Sequence, residues 1–212
     1  MKKIIIITAG VLILLIVLFA LFTFFKKPDL SKYQSLKDPV ISVKPDAKVL
    51  EVKFELDSKD LHKAFGLLFK TYFSIKGTPK GAGMQPPAAR YENTIDFNIE
   101  AEKRNEIFKN IKWKGSASIP VPDSVNVLPK THSNDGLIAE FSICKYGDVA
   151  EILHYGPYEN ETGTVKKLFA FIEAQGYEIN GVHEEVYLIG PGFLFSNPEK
   201  YVTIIRYPVK KK

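Results

Sequence analysis

The chain is poor in the residues that build covalent or metal-held scaffolds. Its single cysteine, Cys144, rules out an intramolecular disulfide and any Cys-x-x-Cys pair. Set in the apolar stretch FSIC, it reads as a core residue rather than a reactive thiol. The four histidines, His62, His132, His154 and His183, show no H-x-x-x-H spacing with a nearby carboxylate. The tripeptide His183-Glu184-Glu185 reads as too compact for two side chains of one strand to meet one ion. No metal and no cofactor are therefore expected. A nucleophile elbow of the G-x-S-x-G kind is missing, and the glycine-rich segment GTPKGAGMQPP lacks the G-x-x-x-x-G-K-[ST] order that cradles phosphate.

Charge of one sign is lacking too, despite a formal net charge of +5. Lys2, Lys3, Lys26 and Lys27 flank an uncharged run of 22 residues, Ile4 to Phe25. Without these four lysines the chain carries 25 basic and 24 acidic residues. The rest of the chain thus has no basic nucleic-acid footprint, and no nucleic-acid partner is expected. A helix of 22 residues rising about 1.5 Å per residue spans the roughly 30 Å apolar layer of a bilayer. A cleaved signal is the rival reading. Its apolar region is shorter, about 7–15 residues, and ends in small residues, whereas this run ends LFTFF. Residues 1–27 are therefore expected to be a transmembrane signal anchor whose lysines meet anionic headgroups. The short tail ahead of the run favours a cytoplasmic N-terminus and an exported domain.

Residues 28–47 are polar and proline-dotted and read as a tether. Beyond them the periodicities alternate between two and 3.6. Val49 to Leu56 reads as a half-buried strand. Asp57 and Ser58 are candidate N-caps for a helix over Lys59 to Ile75, with Leu61, Phe65, Leu68, Phe69, Tyr72 and Ile75 on one stripe and Gly77 as its stop. Two strand-like runs follow, Ala88–Asn93 and Thr94–Glu100. Strand and connection are read over Lys114 to Gly136. The order then recurs: strands over Leu137–Ile143 and Val149–Tyr155, a helix over Thr164–Gln175, and strands over Glu184–Ile189 and Tyr201–Val209. Strand–helix–strand–strand is thus read twice in an α+β chain.

The segments VAEILHYGPYENE, LFAFIEAQGYEINGVHEEVYL, VTIIRYPV and PPAARYEN resemble the GyrI-like domain, the effector-binding module of several bacterial transcription regulators. The resemblance covers residues 48–212. It implies two strand–helix–strand–strand units in a pseudo-twofold arrangement around a central cleft, here preceded by the one transmembrane helix. With the anchor it implies a single-pass protein of a bacterial inner membrane, its globular domain extracytoplasmic. In drug-sensing members an acidic residue on the strand matched by Glu185-Val186-Tyr187-Leu188 faces the cleft and pairs with cationic aromatic ligands, which places Glu185 in that role. Tyr158 and Tyr91 match positions where the family sets aromatics around its ligand. Some members hydrolyse reactive cyclopropane-containing compounds with the same carboxylate, and others bind and inhibit DNA gyrase. This chain departs by carrying no DNA-binding segment. It also has Ile204 where many members place a second acidic residue, which weakens a two-carboxylate mechanism.

The residues themselves point to a compatible site. A carboxylate buried without a partner costs several kcal/mol. Glu185 is therefore solvated, protonated, bonded by tyrosines, or poised for a cation. Glu184 is its register rival, because a slip of one residue exchanges their faces. Tyr187 shares the face of Glu185. Tyr91, Trp113, Phe141, Tyr155, Tyr158 and Tyr187 are candidate walls of a cation-binding cage, each with core packing as its alternative. The expectation is a membrane-anchored domain that binds an amphipathic cationic small molecule. A hydrolase using Glu185 as general acid or base is the alternative.

Overall fold

The computed structural model describes residues 29–93, 96–97, 99–130, 132–191 and 197–212. The run expected to be an anchor lies outside the described residues. No helix among them is long and apolar enough to cross a membrane.

Among the described residues ten strands form one antiparallel sheet. They are β1 (Val40–Lys44), β2 (Ala47–Asp57), β3 (Ala88–Tyr91), β4 (Lys112–Pro120), β5 (Ser133–Asn134), β6 (Leu137–Cys144), β7 (Gly147–Tyr155), β8 (Tyr177–Ile179), β9 (His183–Ile189) and β10 (Val202–Lys211). The spatial order is β1-β7-β10-β9-β3-β4-β2-β6-β5, with β8 paired to the end of β10. The first strand thus pairs with β7, beside β10, while β2 runs at the other side between β4 and β6. The two sides of the sheet meet where β3 pairs with β9, setting Ala89 opposite Glu185 and Arg90 opposite Glu184.

Three α-helices are described: α1 (Leu61–Ser74), α2 (Ala101–Asn110) and α3 (Thr162–Ala174). On α1 the buried residues Ala64, Leu67, Leu68, Thr71 and Tyr72 recur at three- and four-residue steps and pack on β2 and β4. Gly77, at φ 87°, supplies the left-handed backbone that ends this stretch. The predicted caps do not form. Neither Asp57 nor Ser58 makes a side-chain cap bond; a short 3-10 turn over Ser58–Asp60 leads into α1, and the Ser58 hydroxyl donates to the carbonyl of Phe108. On α3, Val165, Leu168 and Ile172 form the buried stripe, laid on β7 and β8.

Two expectations are corrected here. Residues 28–47 do not read as a free tether in their described part: Ser31–Lys37 is a 3-10 helix that buries Leu36, and β1 is hydrogen-bonded along β7. The signal was present in VISVK, a β-branched run hidden between prolines. The strand expected over Thr94–Glu100 is not formed by its described residues. Phe97 instead packs edge-to-face on Phe169 of α3, at 6.0 Å, and the polar helix α2 follows. With so few apolar residues, AEKRNEIFKN offers almost no stripe to read.

Three apolar clusters hold the layers together. One lies under α1 (Leu50, Val52, Phe54, Leu68, Ile119) and one under α3 (Ala150, Ile152, Leu168, Ile205, Tyr207). The third lies on the opposite face, where Leu36 of the 3-10 helix meets Ala88, Leu153, Val186, Leu188 and Ile204. Cys144 is buried, as its apolar setting suggested.

Candidate functional site

Period two along β9 divides its carboxylates. Glu184 and Val186 point to the face covered by the 3-10 helix, while His183, Glu185 and Tyr187 point to the face carrying α1 and α3. The register question left open by the sequence is thereby answered. Glu184 is an ion-pair residue, bonded by the guanidinium groups of both Arg90 and Arg206. Glu185 lines a cavity of about 760 Å³ at the junction of the two sides of the sheet.

Aromatic rings form much of the wall. Tyr91 comes from β3, Trp113 from β4, Phe65 and Phe69 from α1, Phe108 from α2, and Tyr187 from β9. Trp113 stands edge-on to Tyr91 at 5.1 Å and to Phe108 at 5.3 Å between ring centres. Tyr187 meets Phe65 and Tyr158 the same way, both at 5.7 Å. Edge-to-face contacts of this kind fix ring positions and leave faces available to a guest. The indole Nε1 donates to the Ser58 hydroxyl at 2.8 Å and to the Phe108 carbonyl at 3.1 Å, so the missing cap residue is used instead to orient Trp113. Tyr91 and Tyr187 hydrogen-bond to each other through their hydroxyls at 2.9 Å.

Three ionisable groups share the polar corner. His183 Nε2 lies 3.1 Å from Glu185 Oε1, and His183 Nδ1 is held at 2.7 Å by the Tyr207 hydroxyl. Glu161 follows the turn that carries Tyr158. It occupies the N-cap position of α3, yet its side chain makes no cap bond and lines the cavity instead. Its Oε2 and the Tyr158 hydroxyl are buried with no hydrogen-bond partner among the described residues. Burial, then the nearby Glu185, holds the Glu161 carboxyl well above the usual carboxylate range, with Arg104 offsetting part of the shift.

Burial, then the Glu185 charge, likewise pushes the phenols of Tyr91 and Tyr187 well above their ordinary value. A phenol shifted upward keeps its proton in the folded chain. The stability it contributes is present below pH of about 10 and is lost as pH rises toward the folded value. Because their hydroxyls bond each other, replacing both with phenylalanine strands no polar atom. The chain with Tyr91→Phe and Tyr187→Phe is therefore expected to lose stability less steeply between about pH 9 and 12 than wild type, in circular-dichroism melts across that range. Equal slopes would show that these phenols ionise without opposing the fold.

Of the residues singled out in the sequence, the structure brings Glu185, Tyr187, Tyr158, Tyr91 and Trp113 together on one cavity. It places two elsewhere. Phe141 sits on β6, separated from β3 by β4 and β2, and packs on the α1 cluster with the Lys48 ammonium 5.2 Å over its ring. Tyr155 follows Glu151 and Leu153 at period two and thus leaves the sheet on the far face, half-exposed. The reading that His183 and Glu185 cannot converge is also corrected. Two residues apart on a strand, they share a face, and their side chains meet. Glu161 was overlooked, although it sits beside the GPYEN turn; Phe65 and Phe69 were seen only as a helix stripe.

Neither a family model nor a curated protein matches the chain. Solved structures do resemble it. An uncharacterized conserved protein from Listeria innocua superposes with a TM-score of 0.66 at 23% identity, covering 87% of this chain and 100% of that one. A hydrolase from the same organism, encoded by lin2189, gives 0.64 at 20% identity with the same coverage. The EcmrR C-terminal domain gives 0.57 at 15% identity, covering 82% of this chain and 98% of that domain. At these identities the likeness shows a shared fold alone: a mixed α+β domain built on a large antiparallel sheet.

Proposed function

We propose that the chain is a small-molecule-binding domain whose cavity takes an amphipathic cation, held at a bacterial inner membrane by its N-terminal apolar run. One observation carries the reading: Glu185, a carboxylate only 8% exposed, forms part of the wall of a large cavity to which seven aromatic side chains, Tyr91, Trp113 and Tyr187 among them, also contribute. Among the described residues no lysine or arginine pairs with it, and its hydrogen-bond partner is His183. A buried carboxylate without a strong counter-charge gains from a guest that supplies one, and ring faces add roughly 0.5–2 kcal/mol each for a desolvated cation. Sensing or sequestration fits the position, because lipophilic cations concentrate at anionic bilayers and the four lysines around residues 4–25 would seat the chain there. In this reading the two sides of the sheet are a pseudo-twofold pair of units, with the cleft on their joint.

The expected result is a rise in melting temperature when the full-length chain is saturated with tetraphenylphosphonium. Ligand at 100 times its dissociation constant stabilises by about 2.7 kcal/mol. The same titration on Glu185→Gln should give no shift. A flat response from folded wild-type protein, or an equal shift in the variant, would sink the cation reading.

A second reading is hydrolysis of a reactive hydrophobic compound, with Glu185 as general acid or base. What favours it is Glu161, a second buried carboxylate on the same cavity whose proton is held more tightly than usual. It supplies from the turn before α3 what Ile204 of β10 does not. One of the solved structures with this fold is described as a hydrolase. Turnover that persists in Glu185→Gln would remove Glu185 from such a mechanism.

A further inference from the structure

We propose that Glu161, His183 and Glu185 form a binding site for a divalent transition-metal ion of the zinc class, at the polar corner of the cavity. The three residues each offer one ligand atom, and these atoms lie within 4.8 Å of one another, all on buried side chains. Bonds of 2.0–2.2 Å to a four-coordinate zinc ion would set ligand atoms about 3.4 Å apart. His183 Nε2 and Glu185 Oε1 already stand at 3.1 Å, so closing the site requires chiefly an approach by Glu161.

Two features beyond the spacing of these atoms point to an ion. The first is the Glu161 carboxyl: one oxygen is buried, bonds nothing among the described residues, and belongs to a side chain that lines the cavity rather than capping its helix. A buried oxygen atom left without a partner calls for an explanation, and a cation is the guest that would satisfy it. The second is Tyr207, whose hydroxyl holds Nδ1 of His183 at 2.7 Å. That bond fixes the ring and leaves Nε2 turned toward Glu185, the arrangement by which outer partners orient a metal-ligating histidine. One imidazole and two carboxylates favour zinc-, cobalt- or manganese-type ions over the soft ions that need thiolates. With three protein ligands, a remaining coordination position would face the cavity, as in sites that present a metal to a bound molecule. The ion and an organic cation would compete for Glu185.

The test is calorimetric titration of the full-length, chelator-treated chain with Zn²⁺, paired with Co²⁺ titration followed by visible absorption, which reports coordination number. One equivalent is expected. Glu161→Gln and His183→Gln should each weaken binding by about 100-fold or more, and Tyr207→Phe by about 10–100-fold. The Glu161 substitution replaces a buried carboxyl with a neutral amide of the same shape, so it remains informative if the histidine variant fails to fold. His132→Ala, on a half-exposed histidine outside the cavity, should bind as wild type. No binding to wild type, or binding kept in Glu161→Gln and lost in His132→Ala, overturns the site. Stabilisation by tetraphenylphosphonium in a chain that takes no Zn²⁺ overturns the metal and leaves the proposed function standing. One equivalent of Zn²⁺ in a chain indifferent to tetraphenylphosphonium does the reverse.

Discussion

An Arg206→Met chain is expected to be less stable than wild type by about 3–5 kcal/mol, the usual cost of stripping a buried ion pair of one partner. Arg206 is buried on β10, and its guanidinium binds Glu151 through Nε at 2.8 Å and through Nη2 at 2.7 Å, while Nη1 binds Glu184. Both carboxylates are only 2% exposed. Methionine would leave Glu184 to Arg90 and Glu151 to Lys44, whose ammonium lies 3.0 Å away on the edge strand β1. Tyr146 would also lose one of the two guanidinium groups that flank its ring, at 4.9 Å for Arg90 and 5.1 Å for Arg206. Urea unfolding measures the effect, with the slope as a control on the denatured state. Adding Glu151→Gln and Glu184→Gln to Arg206→Met should not recover the loss, because Arg90 and Lys44 would then be left without their carboxylates. A loss below about 1 kcal/mol in the single variant would mean that water reaches these groups and the network behaves as a surface one.

Gly115→Ala is the second large effect, expected at about 3 kcal/mol, the upper end of ordinary overpacking. Gly115 sits in β4 between Tyr91 of β3 and Phe54 of β2. A Cβ there would lie 1.9 Å from the carbonyl oxygen of Arg90 and 3.3 Å from the Phe54 ring. The close neighbour is backbone in a paired strand, so no side chain can rotate away to relieve it. Since the strand that must move carries Tyr91, the variant should lose stability and affinity for tetraphenylphosphonium together. A urea midpoint unchanged from wild type would show that β3 can shift freely, and the rigid-wall picture of the cavity would go with it.

Much of this architecture was legible from period and punctuation. The strands around Val52, Ala139 and Ile152, and the helices carrying Leu68 and Leu168, follow from alternation, apolar stripes and glycine stops. What escaped reading did so for identifiable reasons. Helix α2 has no stripe because it is mostly solvated, and it announces itself only through Phe108 and its contact with Trp113. Strand β1 is short and sits among prolines. The site was readable on the sheet, where position along β9 places Glu185 with Tyr187, and where the same rule should have placed His183 beside them. It was not readable off the sheet. Glu161 reaches the cavity because a helix begins there, and no periodicity in one segment reveals which residue of a distant turn will face it. Phe141 and Tyr155 failed for the complementary reason: aromaticity says that a residue is packed, and only sheet order and face decide against what.

The pairing of β1 with β7 has a consequence for how the chain is made. Ser42 and Glu151, neighbours in the folded sheet, are separated by 109 positions in sequence. During synthesis at about 5–20 residues per second, β1 therefore emerges several seconds before the strand it will lie against. The side of the sheet that contains β2, β3 and β4 meets a similar delay, since β6 must also arrive before its outer edge is covered. That side lies within residues 47–144, whereas the side holding β7, β9 and β10 needs β1 from the far end of the domain. Closing the loop between β1 and β7 carries an entropic cost that is met only when most of the chain is present, so the side of the sheet that holds β1 is ordered late.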